Sequence, residues 1–186
     1  PASAALLAQK AGADGITAHL REDRRHIRDE DIFALKQAIE LPLNFEMAAT
    51  EEMVSIAEQL KPNAACIVPE KREEVTTEGG LSVAGQQERL APFIDRLKSA
   101  GIRISLFVDA DNTELAAAAQ LGADIVELHT GTYSHMIQDD AIEDELERLR
   151  SGAAYAASLG LEVHAGHGLS YDNVGAVAAI EQVVEL

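Results

Sequence analysis

Apolar positions along the chain follow two spacings, one typical of helices and one of short buried strands. Met53, Ile56, Ala57 and Leu60 recur at intervals that place them on one face of a helix. The run Ala64–Val68 is apolar at every position, as in parallel strands that are covered on both faces. The pattern therefore predicts alternating helices and strands joined by short connections, which is typical of βα units.

Seven helices and six strands are predicted in this way. The helices are Pro1–Ala11, Asp29–Glu40, Thr50–Leu60, about Gln86–Ala100, Asn112–Leu121, about Asp139–Leu159 and Tyr171–Ile180. The strands are Gly15–Leu20, Leu43–Met47, Ala64–Val68, Ile102–Val108, Asp124–His129 and Leu161–Ala165. Because Pro92 lies inside the fourth helix, a later start or a kink is expected there.

Two architectures accommodate such units: a doubly wound open sheet and a (β/α)8 TIM barrel. An open sheet would be complete at 186 residues, whereas a barrel usually needs about 250. Polar residues end nearly every strand, which favours the barrel because barrel sites draw on many strands around one rim. The prediction is an α/β fold: one TIM-barrel domain over residues 1–186, without its first strand and its last βα unit.

Composition narrows the class of protein. Hydrophobic residues make up 47% and charged residues 25%, as in ordinary globular domains. A net charge of −17 disfavours nucleic-acid binding, and no apolar run approaches the roughly 20 residues of a membrane span. The single cysteine, Cys66, cannot form an internal disulfide, so a reducing compartment and a cytoplasmic location are expected.

Basic residues concentrate in one segment of this acidic chain. Residues 19–28 contain four arginines and two histidines directly after a predicted strand. A solvated loop with local arginine–carboxylate pairs is one interpretation. A pocket for an anionic substrate is the other, because the planar guanidinium recognises phosphate and carboxylate. Glycines flank His167 ahead of the helix predicted from Tyr171. A glycine backbone N–H at this helix N-terminus is a second candidate for phosphate binding. A plain turn is the alternative.

Carboxylates and histidines at strand ends are candidates for acid–base chemistry. Glu46 lies between Phe45 and Met47, where burial would raise its pKa and suit it to proton transfer. A structural glutamate paired with an arginine is the alternative. Glu127 and His129 are two residues apart, so on a strand they point to the same side.

Two further features are a long connection between predicted elements and a group of possible metal ligands. The connection from Pro69 to Gly85 is either a lid or a surface excursion. The possible ligands at a barrel rim are His19, Glu46, Asp109, His129 and His167. No metal-binding signature such as H-E-x-x-H accompanies them, so no metal is predicted.

Several segments, taken in order, closely resemble the pyridoxine 5′-phosphate synthase family, which forms the pyridine ring of vitamin B6. They are residues 11–17 (AGADGIT), 19–27 (HLREDRRHI), 68–72 (VPEKR), 74–81 (EVTTEGGL) and 165–169 (AGHGL). The resemblance implies a cofactor-free transferase with a TIM-barrel fold. It would join 3-amino-2-oxopropyl phosphate with 1-deoxy-D-xylulose 5-phosphate, giving pyridoxine 5′-phosphate, phosphate and water. It also implies a cytoplasmic homo-octamer and a mobile loop over residues 69–80.

The resemblance further implies roles for eight residues. His19 and Glu46 match the proton acceptors of the family, His167 its proton donor and Glu127 a transition-state stabiliser. The residues that match its phosphate-substrate contacts are Arg21, His26 and Thr76 for the xylulose phosphate and Gly168 for the aminoketone phosphate. Two alternative functions stay open at this point: a metal-dependent hydrolase on a barrel rim, and a non-catalytic fragment of the synthase.

Overall fold

Within the part of the chain that the structure describes, seven parallel strands lie side by side in their order along the sequence. The computed structural model describes residues 1–76, 79–136 and 139–186. The strands are β1 Ile16–His19, β2 Leu43–Met47, β3 Ala64–Ile67, β4 Arg103–Val108, β5 Ile125–His129, β6 Glu162–Gly166 and β7 Val183–Glu185. The predicted α/β fold of the TIM-barrel type is confirmed.

Helices connect the strands and pack outside the sheet. They are α1 Ala2–Ala11, α2 Asp29–Ala38, α3 Glu51–Leu60, α4 Gln87–Ser99, α5 Asn112–Gln120, α6 Gly131–His135, α7 Asp139–Ser158 and α8 Val174–Ala178, with a 3-10 helix at Arg72–Glu74. Thr50 caps α3, since its side chain accepts the N–H of Met53 at 3.3 Å. Gly12 closes α1 with a φ of 100°, as the glycine pattern predicts.

Three details of the predicted elements were wrong. A seventh strand, β7, is present, and it pairs with β6, whereas the prediction had six strands and placed this one beyond the sequence. Helix α6 was also missed, because Gly131–His135 is short and composed of weak helix formers. The helix predicted from Tyr171 begins instead at Val174. The fourth predicted helix has nearly its expected bounds: α4 runs from Gln87 to Ser99 and continues through Pro92 without a later start.

The alternation along β2 separates the two faces of the sheet. Leu43, Phe45 and Met47 are fully buried in the hydrophobic core beneath the helices. Asn44 and Glu46 lie between them in sequence and therefore point to the opposite, concave face. The inner face of the sheet thus carries polar side chains, while the core between sheet and helices is apolar.

The strand register brings polar residues together at the carboxyl ends of the strands. His19 pairs with Glu46 across β1 and β2, and Phe107 pairs with Glu127 across β4 and β5. Paired positions in neighbouring strands share a face, so these side chains project into the same space. Among the described residues, no helix combines the length and apolarity that crossing a membrane requires.

Candidate active site

A cavity of about 730 Å³ opens at the carboxyl ends of the strands. Its lining includes His19 from β1, Glu46 from β2, Glu127 from β5 and His167 after β6. Residues from the first and the sixth strand can share one cavity only if the sheet curls around it. In TIM barrels this end of the strands holds the active site.

Five of the eight predicted site residues line this cavity, and three do not. The five are His19, Arg21, Glu46, Glu127 and His167. His26 is exposed, and Thr76 lines a neighbouring cavity of about 480 Å³. Gly168 packs behind His167, where an added Cβ would lie 2.8 Å from the Cβ of Ser134.

Two glutamates inside the cavity hold their protons more tightly than usual. Burial raises the pKa of Glu46, although the nearby ring of His19 opposes this. Burial together with the charge of Glu46 raises the pKa of Glu127 to about 7. Near neutral pH, Glu127 therefore exists in both protonation states, which suits it to proton transfer.

His19 lies between two carboxylates. Its Nε2 is 3.0 Å from Oε1 of Glu70, and its Nδ1 is 3.8 Å from Oε2 of Glu46. The first distance is that of a hydrogen bond, whereas the second is too long for one. Glu46 therefore lies at the Nδ1 edge of the ring, while Glu70 holds the opposite edge.

Arg21 brings positive charge to the cavity. Its Nε lies 3.4 Å from Oδ1 of Asp23, and this buried nitrogen has no hydrogen-bond partner among the described residues. The side chain of Arg21 is about one-third exposed. A buried donor without a partner is costly unless a ligand or water satisfies it, so the geometry leaves Arg21 available to an anion.

Two histidines and a phenylalanine form the far wall of the cavity. The ring of His129 lies 5.2 Å from the rings of both Phe107 and His167, measured between centroids. Burial lowers the pKa of His167, and the neighbouring His129 and His135 add to this effect. His129 lines the cavity as well. Its place at the end of β5 was recognised from the sequence, although it was not assigned a role.

Asp109 connects this wall to the Pro69–Gly85 connection. Its Oδ1 accepts the backbone N–H of Gly80 at 3.1 Å and lies 3.3 Å from Nδ1 of His129, and its other oxygen accepts the hydroxyl of Thr76. Burial alone would raise the pKa of Asp109, but these contacts outweigh it and lower the pKa overall. Thr77 and Glu78 of the predicted lid lie outside the described residues.

The turn after β6 presents His167 in an unusual backbone conformation. His167 has a φ of 84°, and Gly168 follows with a φ of 78°. The hydroxyl of Thr130 donates to the carbonyl oxygens of both Gly166 and His167, at 2.7 and 2.8 Å. These hydrogen bonds hold His167 in a left-handed conformation that a non-glycine residue adopts only when its surroundings impose it.

Sequence reasoning did not include several lining residues from α6 and the segment around it. Gly131, His135 and Met136 belong to a helix that was not predicted or directly follow it. An added Cβ at Gly131 would lie 2.4 Å from Nε2 of His129, so only glycine lets the histidine occupy its place. Among the described residues, no group of three or more histidine, cysteine or acidic side chains is arranged to hold a metal ion.

Known proteins similar to this chain carry one consistent description. The family model "Pyridoxal phosphate biosynthesis protein PdxJ" matches residues 1–186. A pyridoxine 5′-phosphate synthase from Xanthobacter autotrophicus is 62% identical over all of this chain and 74% of its own length. A protein of the same name from Gluconobacter oxydans is 60% identical over all of this chain and 78% of its own length.

Solved structures with little sequence similarity share the fold. A putative phosphonomutase from Burkholderia cenocepacia superposes with a TM-score of 0.67 at 14% identity, over 99% of this chain and 82% of its own. FabK from Thermotoga maritima gives 0.57 at 13% identity, over 89% of this chain and 48% of its own. These two likenesses concern architecture alone, whereas the family match covers the whole sequence. The chain therefore belongs to the PdxJ family of pyridoxal phosphate biosynthesis proteins.

Proposed function

We propose that this chain joins 3-amino-2-oxopropyl phosphate with 1-deoxy-D-xylulose 5-phosphate, giving pyridoxine 5′-phosphate, phosphate and water. Relatives about 60% identical over the whole chain are pyridoxine 5′-phosphate synthases by name. The observation that carries the proposal is the gathering of His19, Glu46, Glu127 and His167 around one cavity. Ring closure needs several proton transfers, and these four side chains supply acids and bases to one space.

The proposed roles follow from the surroundings of each group. Glu46 and His19 take protons from the condensing substrates, since both residues line the cavity and lie next to each other there. Glu127, with its pKa near 7, stabilises charge as it develops, by holding or releasing a proton. The lowered pKa of His167 makes its protonated form a stronger acid, which favours donation to a leaving group.

Both substrates are phosphorylated, so binding needs local positive charge in a protein of net charge −17. Arg21 is the cavity-lining arginine whose buried Nε has no hydrogen-bond partner among the described residues, and it is assigned to the xylulose phosphate. Gly168 is assigned to the aminoketone phosphate through its backbone N–H. Contacts from His26 and Thr76 to the xylulose phosphate belong to the same proposal. For Thr76, such a contact requires its hydroxyl to leave Asp109.

The proposal includes no cofactor and no metal, and it assigns the chain only small phosphorylated molecules as partners, besides copies of itself. Assembly into a homo-octamer and a cytoplasmic location are part of it. Nucleic acid and membrane are not among the proposed partners, in keeping with the acidic net charge.

The test is a reconstitution of the full-length protein with both phosphorylated substrates, run in parallel with and without a metal chelator. Released phosphate and pyridoxine 5′-phosphate are measured, and both are expected only when the two substrates are present together. Phosphate released from either substrate alone would indicate a phosphatase-type hydrolase instead. Complete inactivity of the folded protein with both substrates would favour the non-catalytic alternative.

A further inference from the structure

His19 is held from behind by a second carboxylate that the proposed reaction does not use. Oε1 of Glu70 lies 3.0 Å from Nε2 of His19, and the side chain of Glu70 is only 5% exposed. Glu70 follows β3, two positions beyond the cavity-lining Val68. Glu70 is not among the cavity-lining residues, so it reaches the reaction only through His19.

The Glu70 carboxylate is fixed at both of its oxygens. Oε1 faces the ring of His19, and Oε2 accepts the backbone N–H of Glu22 at 3.0 Å. A carboxylate held at two points on different segments has little freedom to turn away. The ring that it contacts is therefore constrained as well.

The backbone of Glu70 is anchored in turn by an ion pair between a buried glutamate and a partly exposed arginine. Oε2 of Glu74 accepts the N–H groups of Glu70 and Lys71 at 3.0 and 3.1 Å, and Arg89 of α4 donates to Oε1 of Glu74 at 2.5 Å. Burial alone would raise the pKa of Glu74, but these hydrogen bonds lower it overall. The charged Glu74 thus connects the backbone of Glu70 to Arg89 of helix α4.

This arrangement determines which nitrogen of His19 carries the proton. An ionised carboxylate only accepts hydrogen bonds, so the ring nitrogen that faces Glu70 must donate. In the neutral ring, Nε2 then carries the proton and Nδ1 is left with a free lone pair. Nδ1 is the edge that faces Glu46, which lines the cavity together with His19.

We propose that Glu70 is a positioning residue that fixes His19 in its Nε2–H tautomer, so that Nδ1 is the atom that accepts a proton during the reaction. The inference rests on the proposed function for its catalytic part alone. The tautomer itself is a property of the resting protein. Once Nδ1 has taken a proton, the same carboxylate stabilises the positive charge on the ring, as buried carboxylates do behind catalytic histidines.

The test combines spectroscopy with kinetics on the Glu70→Gln variant. A carboxamide has the shape of the carboxylate but can donate as well as accept, so it no longer dictates the tautomer. Nitrogen-15 spectra of labelled histidine, assigned with His19→Asn, are expected to show Nε2–H for His19 in the unaltered protein and a mixture of tautomers in Glu70→Gln. Turnover is expected to fall about 10- to 100-fold with KM changed less than about threefold, the usual effect of losing such an orienting partner.

Two further variants separate positioning from general structure. Glu70→Asp retains the charge and is expected to keep the Nε2–H tautomer and recover part of the turnover. Glu73→Gln changes an exposed glutamate in the same turn and is expected to alter neither measurement. An unchanged His19 tautomer in Glu70→Gln would overturn the proposal, and so would an altered tautomer with full turnover. If the unaltered protein itself were inactive, the proposed function would fail while the spectra still decided the role of Glu70.

Discussion

The thiol of Cys66 lies 3.6 Å from Oε2 of Glu127 on the concave face of the sheet. Cys66 is fully buried, and this burial, with the charges of Glu127 and Glu46 nearby, raises the pKa of the thiol. The sulfur therefore stays protonated and offers the carboxylate only a weak donor. Glu127 is consequently a carboxyl group for which ionisation is costly, which leads to the first prediction.

Replacing Glu127 by glutamine should change how stability depends on pH. The pKa of Glu127 is about 7 in the folded protein against about 4.5 in an exposed carboxyl group. Below pH 4.5 this carboxyl group is protonated in both the folded and the unfolded protein, so it does not change the free energy of unfolding. Between pH 4.5 and 7 the unfolded chain releases the proton first, so this group makes the folded protein less stable as pH rises. Above pH 7, ionised Glu127 lowers the free energy of unfolding by about 3 kcal/mol, at 1.36 kcal/mol per unit of difference between the two pKa values.

Glu127→Gln should therefore gain stability relative to the unaltered protein as pH rises from 4.5 to 7, with the gain levelling off above pH 7. Urea unfolding at a series of pH values measures this difference. The exposed Glu181→Gln provides the control and should run parallel to the unaltered protein. A Glu127→Gln curve that also ran parallel would show that Glu127 ionises normally.

Glu46→Gln should lower turnover by about 100-fold or more, the usual contribution of a general base. Burial raises the pKa of Glu46 and brings it closer to the working pH. Steady-state rates for Glu46→Gln and for Glu181→Gln, the latter expected to be unaffected, provide the comparison. A loss below about threefold would remove Glu46 from the mechanism.

Arg21→Lys should weaken the binding of the xylulose phosphate and leave the binding of the aminoketone phosphate nearly unchanged. Lysine keeps the charge but loses the planar pair of donors. One charge-assisted contact is worth about 1.5–3 kcal/mol, or roughly 10- to 150-fold in affinity. Calorimetric titration of each substrate measures the two effects, with the exposed Arg25→Lys as the matched control. Equal weakening of both substrates would mean that Arg21 provides only a general positive field.

Activity should survive exhaustive chelation. The sequence has no metal-binding signature, and the proposed reaction uses only side-chain acids and bases. Dialysis against a strong chelator, followed by assay and metal analysis of the same sample, measures this. Loss of activity that one specific metal ion restores would favour a metal-dependent hydrolase.

Gly166→Ala should lower turnover clearly, whereas its effect on the free energy of unfolding should be modest. An added Cβ at Gly166 would lie 2.3 Å from Oε1 of Glu127, so the carboxylate must move. Overpacking of this kind costs about 1–3 kcal/mol of stability. Gly15→Ala is the control, because its Cβ would meet its nearest neighbour at 3.7 Å. Turnover and urea unfolding on both variants separate the effects, and an unchanged rate in Gly166→Ala would mean that the exact place of Glu127 is unimportant.

The fold could be predicted because its elements leave strong local patterns. Strand β2 shows this well: Phe45 and Met47 are buried in the core, and Glu46 between them turns to the cavity. Where the pattern is short it fails. Helix α6 has five residues, and β7 has three that are mostly exposed. Neither carries enough buried apolar surface to show a period.

The site could be predicted only in part, because local sequence patterns do not show which residues from distant segments come into contact. Strand ends predicted that His19, Glu46 and Glu127 would share a rim, and the cavity brings them together. The partnership of Glu70 with His19 joins residues 51 positions apart, and no spacing rule reveals it. His26 shows the converse, since it lies in the predicted basic segment and yet faces solvent.

The strictly sequential order of the strands has a consequence for how the protein folds. Each strand pairs with the strand that precedes it in the chain, so the sheet can grow by adding one neighbour at a time. Each step then closes only one βα loop, so the entropic cost of each new strand pairing stays modest. His19 and Glu127, however, come from β1 and β5, so β2, β3 and β4 lie between them in that series. The catalytic geometry therefore depends on strands that carry none of the proposed catalytic residues, so a packing defect in β3 or β4 would lower activity while leaving those residues intact.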